Sequence, residues 1–214
     1  MENINKTIQK SFLWMFFGLL ITSLVSYYCY ATESLQSFLY GSMTTLMIVQ
    51  VVVVIVFVLF FKKLPANVVA ILFLVYAVLT GVSFSSIFYF YELGSIMYIF
   101  GGSAILFLAL SAIGHNTEKD LSNMGSLLTV GLVVGLILTL VNVFIIKNTM
   151  MDIVLTWVLL GIFMGLVIYD VNKLKQAALS VEDPDKMHIY FAMELYLDFI
   201  NIFIRLLSLF GKEK

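Results

Sequence analysis

The feature that most limits what this chain can become is the recurrence of apolar runs long enough to cross a bilayer. A helix needs about 20 predominantly apolar residues to traverse the hydrocarbon. Seven stretches qualify: residues 12–30, 39–61, 66–90, 95–113, 125–146, 150–169 and 188–210. Nearly all the charges fall between them. Runs such as VVVVIV at 51–56 are apolar on every side and do not alternate, which excludes barrel strands and suits a helix in lipid. In 214 residues these spans leave no room for a soluble domain. The expectation is an all-α membrane protein, with one integral domain over 1–214 built as a seven-transmembrane-helix bundle.

Composition sharpens the exclusions. Of all residues, 62% are apolar and 12% are charged, the latter about half the ~25% of a soluble domain. An aromatic content of 15% is the reverse of the disordered signature. Twelve basic and thirteen acidic residues leave no basic footprint for nucleic acid. The first partner is therefore the lipid bilayer. Cys29 is the lone cysteine, so no internal disulfide is available, and no CxxC or Cys/His pair suggests a structural metal. No cofactor is expected.

Lysines in the short loops set the orientation. With the N-terminus inside, the inner segments hold Lys6, Lys10, Lys62, Lys63, Lys119, Lys173, Lys175 and Lys186, against Lys147, Lys212 and Lys214 outside. The reading is a multi-pass protein of the plasma (inner) membrane with a cytoplasmic N-terminus. The last span is the most polar, and a re-entrant path that returns Lys212 and Lys214 to the inside is the alternative. The first apolar run is longer than a signal-peptide core and is read as a retained span.

Charges inside the spans carry the functional argument: Asp170 at the end of the sixth run, then Glu194, Asp198 and Arg205 in the seventh. A carboxylate at mid-membrane costs on the order of 2.5–3.5 kcal/mol on insertion scales, so such groups face the bundle interior or a water-filled cavity. Asp183 followed by Pro184 reads as a helix start, with Asp as cap and Pro in the first helical position. Lys173, Lys175 and Gln176 are good helix formers, so the sixth helix should continue past its apolar run. Helices six and seven would then form an antiparallel hairpin around 180–183. Asp170 lies 14 residues before Pro184 and Asp198 lies 14 after it. At 1.5 Å per residue both sit roughly 15–20 Å from the tip, at similar depth.

Two carboxylates in a poorly hydrated site share a proton and titrate as a unit, because burial and mutual repulsion both oppose double ionisation. Such a pair can respond near neutral pH. It also supplies hard oxygens suited to Ca²⁺, although two carboxylates fall short of six to eight ligands, so Asp170 and Asp198 would hold Ca²⁺ weakly. Glu194, Asp198, Asn201 and Arg205 form a polar stripe on an otherwise apolar helix, which predicts a central last helix surrounded by the others. Structural alternatives stand beside this one. Asp170 could lie at the inner interface, Asp198 could pair with Arg205, and Glu194 could belong to the cluster or only to the inner mouth. Asn142 and Asn172 read as interhelical hydrogen bonders, and Gly131/Gly135 and Gly161/Gly165 as close-packing positions. His115 reads as a loop residue and His188 as an interface residue.

The segment LYLDFINIFI at 195–204 resembles the last-helix signature of the Bax inhibitor 1 family. IYDVN at 168–172 is similar to that family's sixth-helix motif, and TEKDLS at 117–122 to its loop between helices four and five. Order, spacing and seven spans match over essentially the whole chain, and the short termini look like those of bacterial members. The resemblance implies a seven-helix bundle with a central last helix, and a pH-sensitive calcium leak governed by an aspartate pair that falls on Asp170 and Asp198. Some members also carry an acid in helix two, with a basic residue near its inner end that latches the pair. Here the nearest positions are Gln50 and Phe60 and Phe61, with Lys62 and Lys63 beyond, so this chain departs from the latch.

The leading reading is a leak in which protonation of Asp170 and Asp198 gates a path for Ca²⁺, with Ca²⁺ and protons as the partners and a monomer as the default state. The alternative is a proton- or cation-coupled transporter of a small solute using the same carboxylates. It is disfavoured because Pro65 and Pro184 both lie between the apolar runs and no repeat is visible. The chain is not read as an enzyme. An aspartyl protease would use the same two aspartates, but Phe199 follows Asp198 where a Gly-rich companion motif would be needed. The seventh span has no lysine for a retinal Schiff base.

Overall fold

A computed structural model describes residues 2–61, 63–178 and 184–214. Among them the fold is all-helical, and the only β-type pairing is an isolated bridge between Tyr91 and Glu213. The elements are α1 (Glu2–Ala31), α2 (Glu33–Phe60), α3 (Ala66–Phe84), α4 (Ile87–Phe90), α5 (Leu93–Asn116), α6 (Ser122–Val141), α7 (Thr149–Ala177) and α8 (Pro184–Phe210). Seven long helices thus match the seven apolar runs in number and order. Among the described residues, five stretches are long and apolar enough to cross a membrane: Lys6–Ala31, Ala66–Phe90, Leu93–Asn116, Ser122–Ile146 and Thr149–Ala177. Ile48–Phe60 of α2 is a shorter apolar helix.

Two runs are less regular than their hydropathy suggests. The third is interrupted after Phe84, where Ser85 Oγ donates to Val82 O (2.7 Å) and Ser86 Oγ to Ser83 O (2.8 Å). Side-chain bonds of this kind compete with the backbone ladder and favour a break. The fifth ends in a π-turn, Asn142–Ile146, closed by Lys147 in the left-handed region at φ 56°. Buried Asn142 secures that end by donating from Nδ2 to Asn148 O (3.1 Å) and accepting from Asn148 N (3.0 Å). The sixth helix does extend past its apolar run, through Lys173, Lys175 and Gln176 to Ala177, and the last begins at Pro184. The expected hairpin tip at 180–183, including Asp183, and Lys62 lie outside the described residues.

The chain divides into two compact units. The first comprises residues 1–92, 178–196 and 213–214. In it α1 and α2 both pack on α3 and on each other, around Val69, Phe73 and Ala77. Gly18 lets α1 approach: a Cβ there would lie 2.5 Å from the Phe73 ring and 3.2 Å from that of Tyr196. Lys186 at the start of α8 sits over the Phe61 ring at 5.0 Å, and His188 stacks beside Trp14 at 6.5 Å. The tail past α8 meets the other end of α1. Lys214 Nζ donates to Phe88 O (2.8 Å) and lies 5.7 Å from the Tyr30 ring centre.

The second unit comprises 93–177 and 197–212, with α7 packed on both α5 and α6. Small residues bring α6 and α7 together: a Cβ at Gly135 would lie 2.7 Å from Leu159 and one at Gly165 would lie 2.8 Å from Leu128. Gly131 meets Ile162 more loosely at 3.3 Å, whereas Gly161 faces open space. The spacing of small residues thus identified three contacts of four. α8 contributes to both units and is buried on most of its circumference, as consecutive Phe191, Ala192 and Met193, then Asp198, Phe199 and Ile200, show.

Candidate functional site

In the second unit, neighbours on α5 and α6 fix the approach to Asp170. Gly114 of α5 abuts the backbone of Ile168, where a Cβ would come within 2.5 Å of the carbonyl oxygen. Gly125 of α6 makes room for the ring of Tyr169. Asp170 itself is 7% exposed. Beyond it, buried Asn172 donates from Nδ2 to Thr117 O (2.8 Å) and accepts from Gln176 Nε2 (2.8 Å). Lys175 Nζ donates to His115 O (2.8 Å) and Thr117 O (2.9 Å), satisfying carbonyls at the C-terminal end of α5. Asn172 therefore acts as the interhelical hydrogen bonder expected of it. The loop 117–122 is tied to α7 directly below the aspartate. In that loop Asp120 Oδ1 accepts from Ser122 N (2.8 Å) and Ser122 Oγ (2.5 Å), and these bonds hold its carboxyl below the usual range.

Asp198 is 4% exposed and belongs to the same unit as Asp170. Phe199 beside it stands edge-on to Phe100 (5.3 Å) and Phe107 (5.6 Å), and Phe203 stands edge-on to Phe100 (5.6 Å). α5 is thus the common neighbour of the two aspartate-bearing segments. It meets α7 two residues before Asp170 and α8 one residue after Asp198. The other residues of the polar stripe diverge. Asn201 turns back on its own helix and donates to Leu197 O (2.8 Å). Arg205 is half-buried, and the charge of Asp152 in the first turn of α7 reaches it. Glu194 is half-buried and belongs to the first unit.

The first unit holds a polar chain that no motif announces. The Tyr196 hydroxyl lies 2.6 Å from Thr22 Oγ1, which donates to Ala77 O (2.9 Å). Thr80 Oγ1 donates to Tyr76 O (2.9 Å) on its own helix. Gln50 Nε2 donates to Thr80 Oγ1 (3.3 Å), and Gln50 Oε1 accepts from Ser83 Oγ (3.3 Å). Gln50 therefore occupies its helix-two position as a neutral link between α2 and α3. At the C-terminal end of α2, Phe61 packs on Tyr190 at 4.4 Å, with Phe57 at 6.2 Å from the same ring. Lys63 is exposed. The sequence signal for this chain was available in the isolated hydroxyls of Thr22 and Thr80 within apolar runs. Buried hydroxyls in such helices seek partners on neighbouring helices or on the preceding turn.

His115 is exposed at the end of α5, and His188 is buried in the first unit. Among the described residues, no three His, Cys, Asp or Glu side chains gather at a metal-sized site. A divalent cation at Asp170 and Asp198 would take its remaining oxygens from water, hydroxyls or backbone.

Comparison with known proteins places these features in a lineage. A family model described as "Inhibitor of apoptosis-promoting Bax1" matches residues 4–214. The chain is 36% identical over 209 residues to "Inner membrane protein YbhL" of Escherichia coli K12, covering 94% of this chain and 89% of that protein. It is 33% identical over 217 residues to an uncharacterised protein of Borreliella burgdorferi, covering 98% and 93% of the two chains. An uncharacterised protein of Deinococcus radiodurans is 33% identical over 215 residues, with 98% and 91% covered.

Proposed function

The chain belongs to the Bax inhibitor 1 family as a multi-pass membrane protein, and from that premise we propose that it is a pH-sensitive calcium leak of the inner membrane. Its gate is the pair Asp170 and Asp198, and its N-terminus lies in the cytoplasm. The observation that supports this most is the burial of both carboxyl groups within one helical unit, bordered by the same helix α5. Carboxyls withdrawn from water hold their protons more tightly than free ones, and two of them favour a shared proton. Charge on the pair would attract a divalent cation, while protonation would remove that attraction and alter the packing that α8 prefers. α8 acts as the central element in this reading, because it is buried on most sides and its two halves belong to different units.

The test is ⁴⁵Ca²⁺ flux from liposomes across pH, comparing wild type with Asp170→Asn, Asp198→Asn and the double variant. The expected result is a pH-dependent leak whose profile flattens in each single variant and is lost in the double one. A double variant that leaks with an unchanged pH profile overturns the proposal. Solute accumulation driven by a pH gradient would identify a coupled transporter instead.

A further inference from the structure

We propose that Ser111 Oγ is a third oxygen of the cation site at Asp170 and Asp198; this rests on the reading of those aspartates given above. Ser111 is 6% exposed, and its hydroxyl is buried with no hydrogen-bond partner. That is unusual within its own unit. Helical hydroxyls there regularly bond back to the preceding turn: Ser103 to Ile99 O (2.8 Å), Ser126 to Ser122 O (3.0 Å), Thr129 to Gly125 O (2.8 Å) and Thr139 to Gly135 O (2.8 Å). Ser111 sits in the same α5 helix as Ser103 and makes no such bond. Leaving a buried hydroxyl unsatisfied is costly, so an oxygen kept in this state is poised for a partner other than its own backbone.

Its direction follows from its helix face. Phe107, Ser111 and Gly114 stand at i, i+4 and i+7, one stripe of α5. Phe107 touches Phe199, the residue after Asp198, and Gly114 is seated on Ile168, two residues before Asp170. Ser111 lies between these two contacts on the stripe that meets both aspartate-bearing segments. A neutral hydroxyl is a hard oxygen donor that adds no charge repulsion to a pair of carboxyls. It suits a weak site that must release its ion as well as capture it.

The experiment is equilibrium binding of ⁴⁵Ca²⁺ to the purified full chain in detergent, paired with liposome flux. The variants are Ser111→Ala, Ser111→Thr and the double variant Asp170→Asn/Asp198→Asn. Alanine preserves the small volume, so a residue that serves only packing leaves both readouts unmoved. The expected result is a threefold to tenfold weaker apparent Ca²⁺ affinity in Ser111→Ala, with Ser111→Thr within twofold of wild type. Unchanged binding in Ser111→Ala overturns the role of Ser111 while the aspartate site stands, provided the double variant loses binding. Equal losses in the alanine and threonine variants also overturn it, because the hydroxyl would then be irrelevant. Binding that persists in the double variant overturns the aspartate site and the Ser111 assignment together.

Discussion

The hydroxyl of Tyr196 lies 2.6 Å from Thr22 Oγ1, so a fully buried phenol two residues before Asp198 ties α8 to α1. Phe73 of α3 stands edge-on to the same ring at 5.6 Å. Interhelical hydrogen bonds in membrane proteins average about 0.6 kcal/mol and reach about 1.7. Tyr196→Phe keeps the ring and removes only this bond, while Thr22 retains Ala77 O. Thermal unfolding in detergent should show a loss in that range. Tyr196→Ala should cost about 3–5 kcal/mol, as large aromatic truncations do. Equal effects from the two would mean that the hydroxyl contributes the whole of the anchoring.

Glycine positions give a sharper comparison. Alanine at Gly114 would place its Cβ 2.5 Å from a backbone oxygen of Ile168, which cannot swing aside as a side chain can. Gly114→Ala should therefore separate α5 from α7 and destabilise by about 1–3 kcal/mol, the usual range for overpacking. Gly161 has nothing within reach, so Gly161→Ala should stay within about 0.5 kcal/mol of wild type, as surface changes do. Thermal melts of the two variants side by side check the contrast. Because Ile168 lies two residues before Asp170, Gly114→Ala should also disturb the pH profile of the leak.

Much of this arrangement is legible in the amino-acid order, for identifiable reasons. Hydrocarbon runs and loop charges mark the seven helices because lipid tolerates little else, and Asp170 and Asp198 stand out because charge there is costly. The breaks at Ser85 and within Asn142–Ile146 are not legible, since they depend on local hydroxyl and amide bonds that hydropathy ignores. Gly161 shares its spacing with Gly165 yet faces open space, because spacing shows which face a residue occupies and not what lies opposite. Arg205 sits two turns from Asp198 on one helix, and the charge of Asp152, distant in sequence, also reaches it. Ser111 looks like any helical serine until its missing backbone bond is seen.

Asp120 offers a pH test outside the membrane. Its carboxylate accepts two bonds from Ser122 at the start of α6, and those bonds lower its pKa. The ionised form is the bonded one, so its contribution is complete above the ordinary aspartate pKa of about 3.9 and is lost as pH falls through the lowered folded value. Amide hydrogen exchange in the first turn of α6 should be slower in wild type than in Asp120→Ala at neutral pH. The two should converge in strong acid. A difference that persists there would point to a role independent of charge.

At the C-terminal end of α2 an aromatic contact stands where the family resemblance implies a basic latch. Phe61 packs on Tyr190 of α8 at 4.4 Å, and Lys186 of α8 lies 5.0 Å over the Phe61 ring. Aromatic pairs contribute about 0.5–1.5 kcal/mol beyond area burial, and exposed cation–π contacts about 0.5–1. If α8 must leave this contact for the path to open, its loss would raise the open population roughly fivefold or more, since ~1.4 kcal/mol is tenfold. A phenylalanine carries no titratable group, so the Phe61 contact adds a barrier without a pH dependence of its own. Phe61→Leu should therefore raise Ca²⁺ flux at every pH while leaving the midpoint of the profile in place, and Lys186→Met should give a smaller increase of the same kind. Flux measured from pH 5 to 8 separates this from an ionic latch. A shifted midpoint with unchanged maximal leak would show that the C-terminal end of α2 acts through the protonation of the aspartates and not through contact with α8.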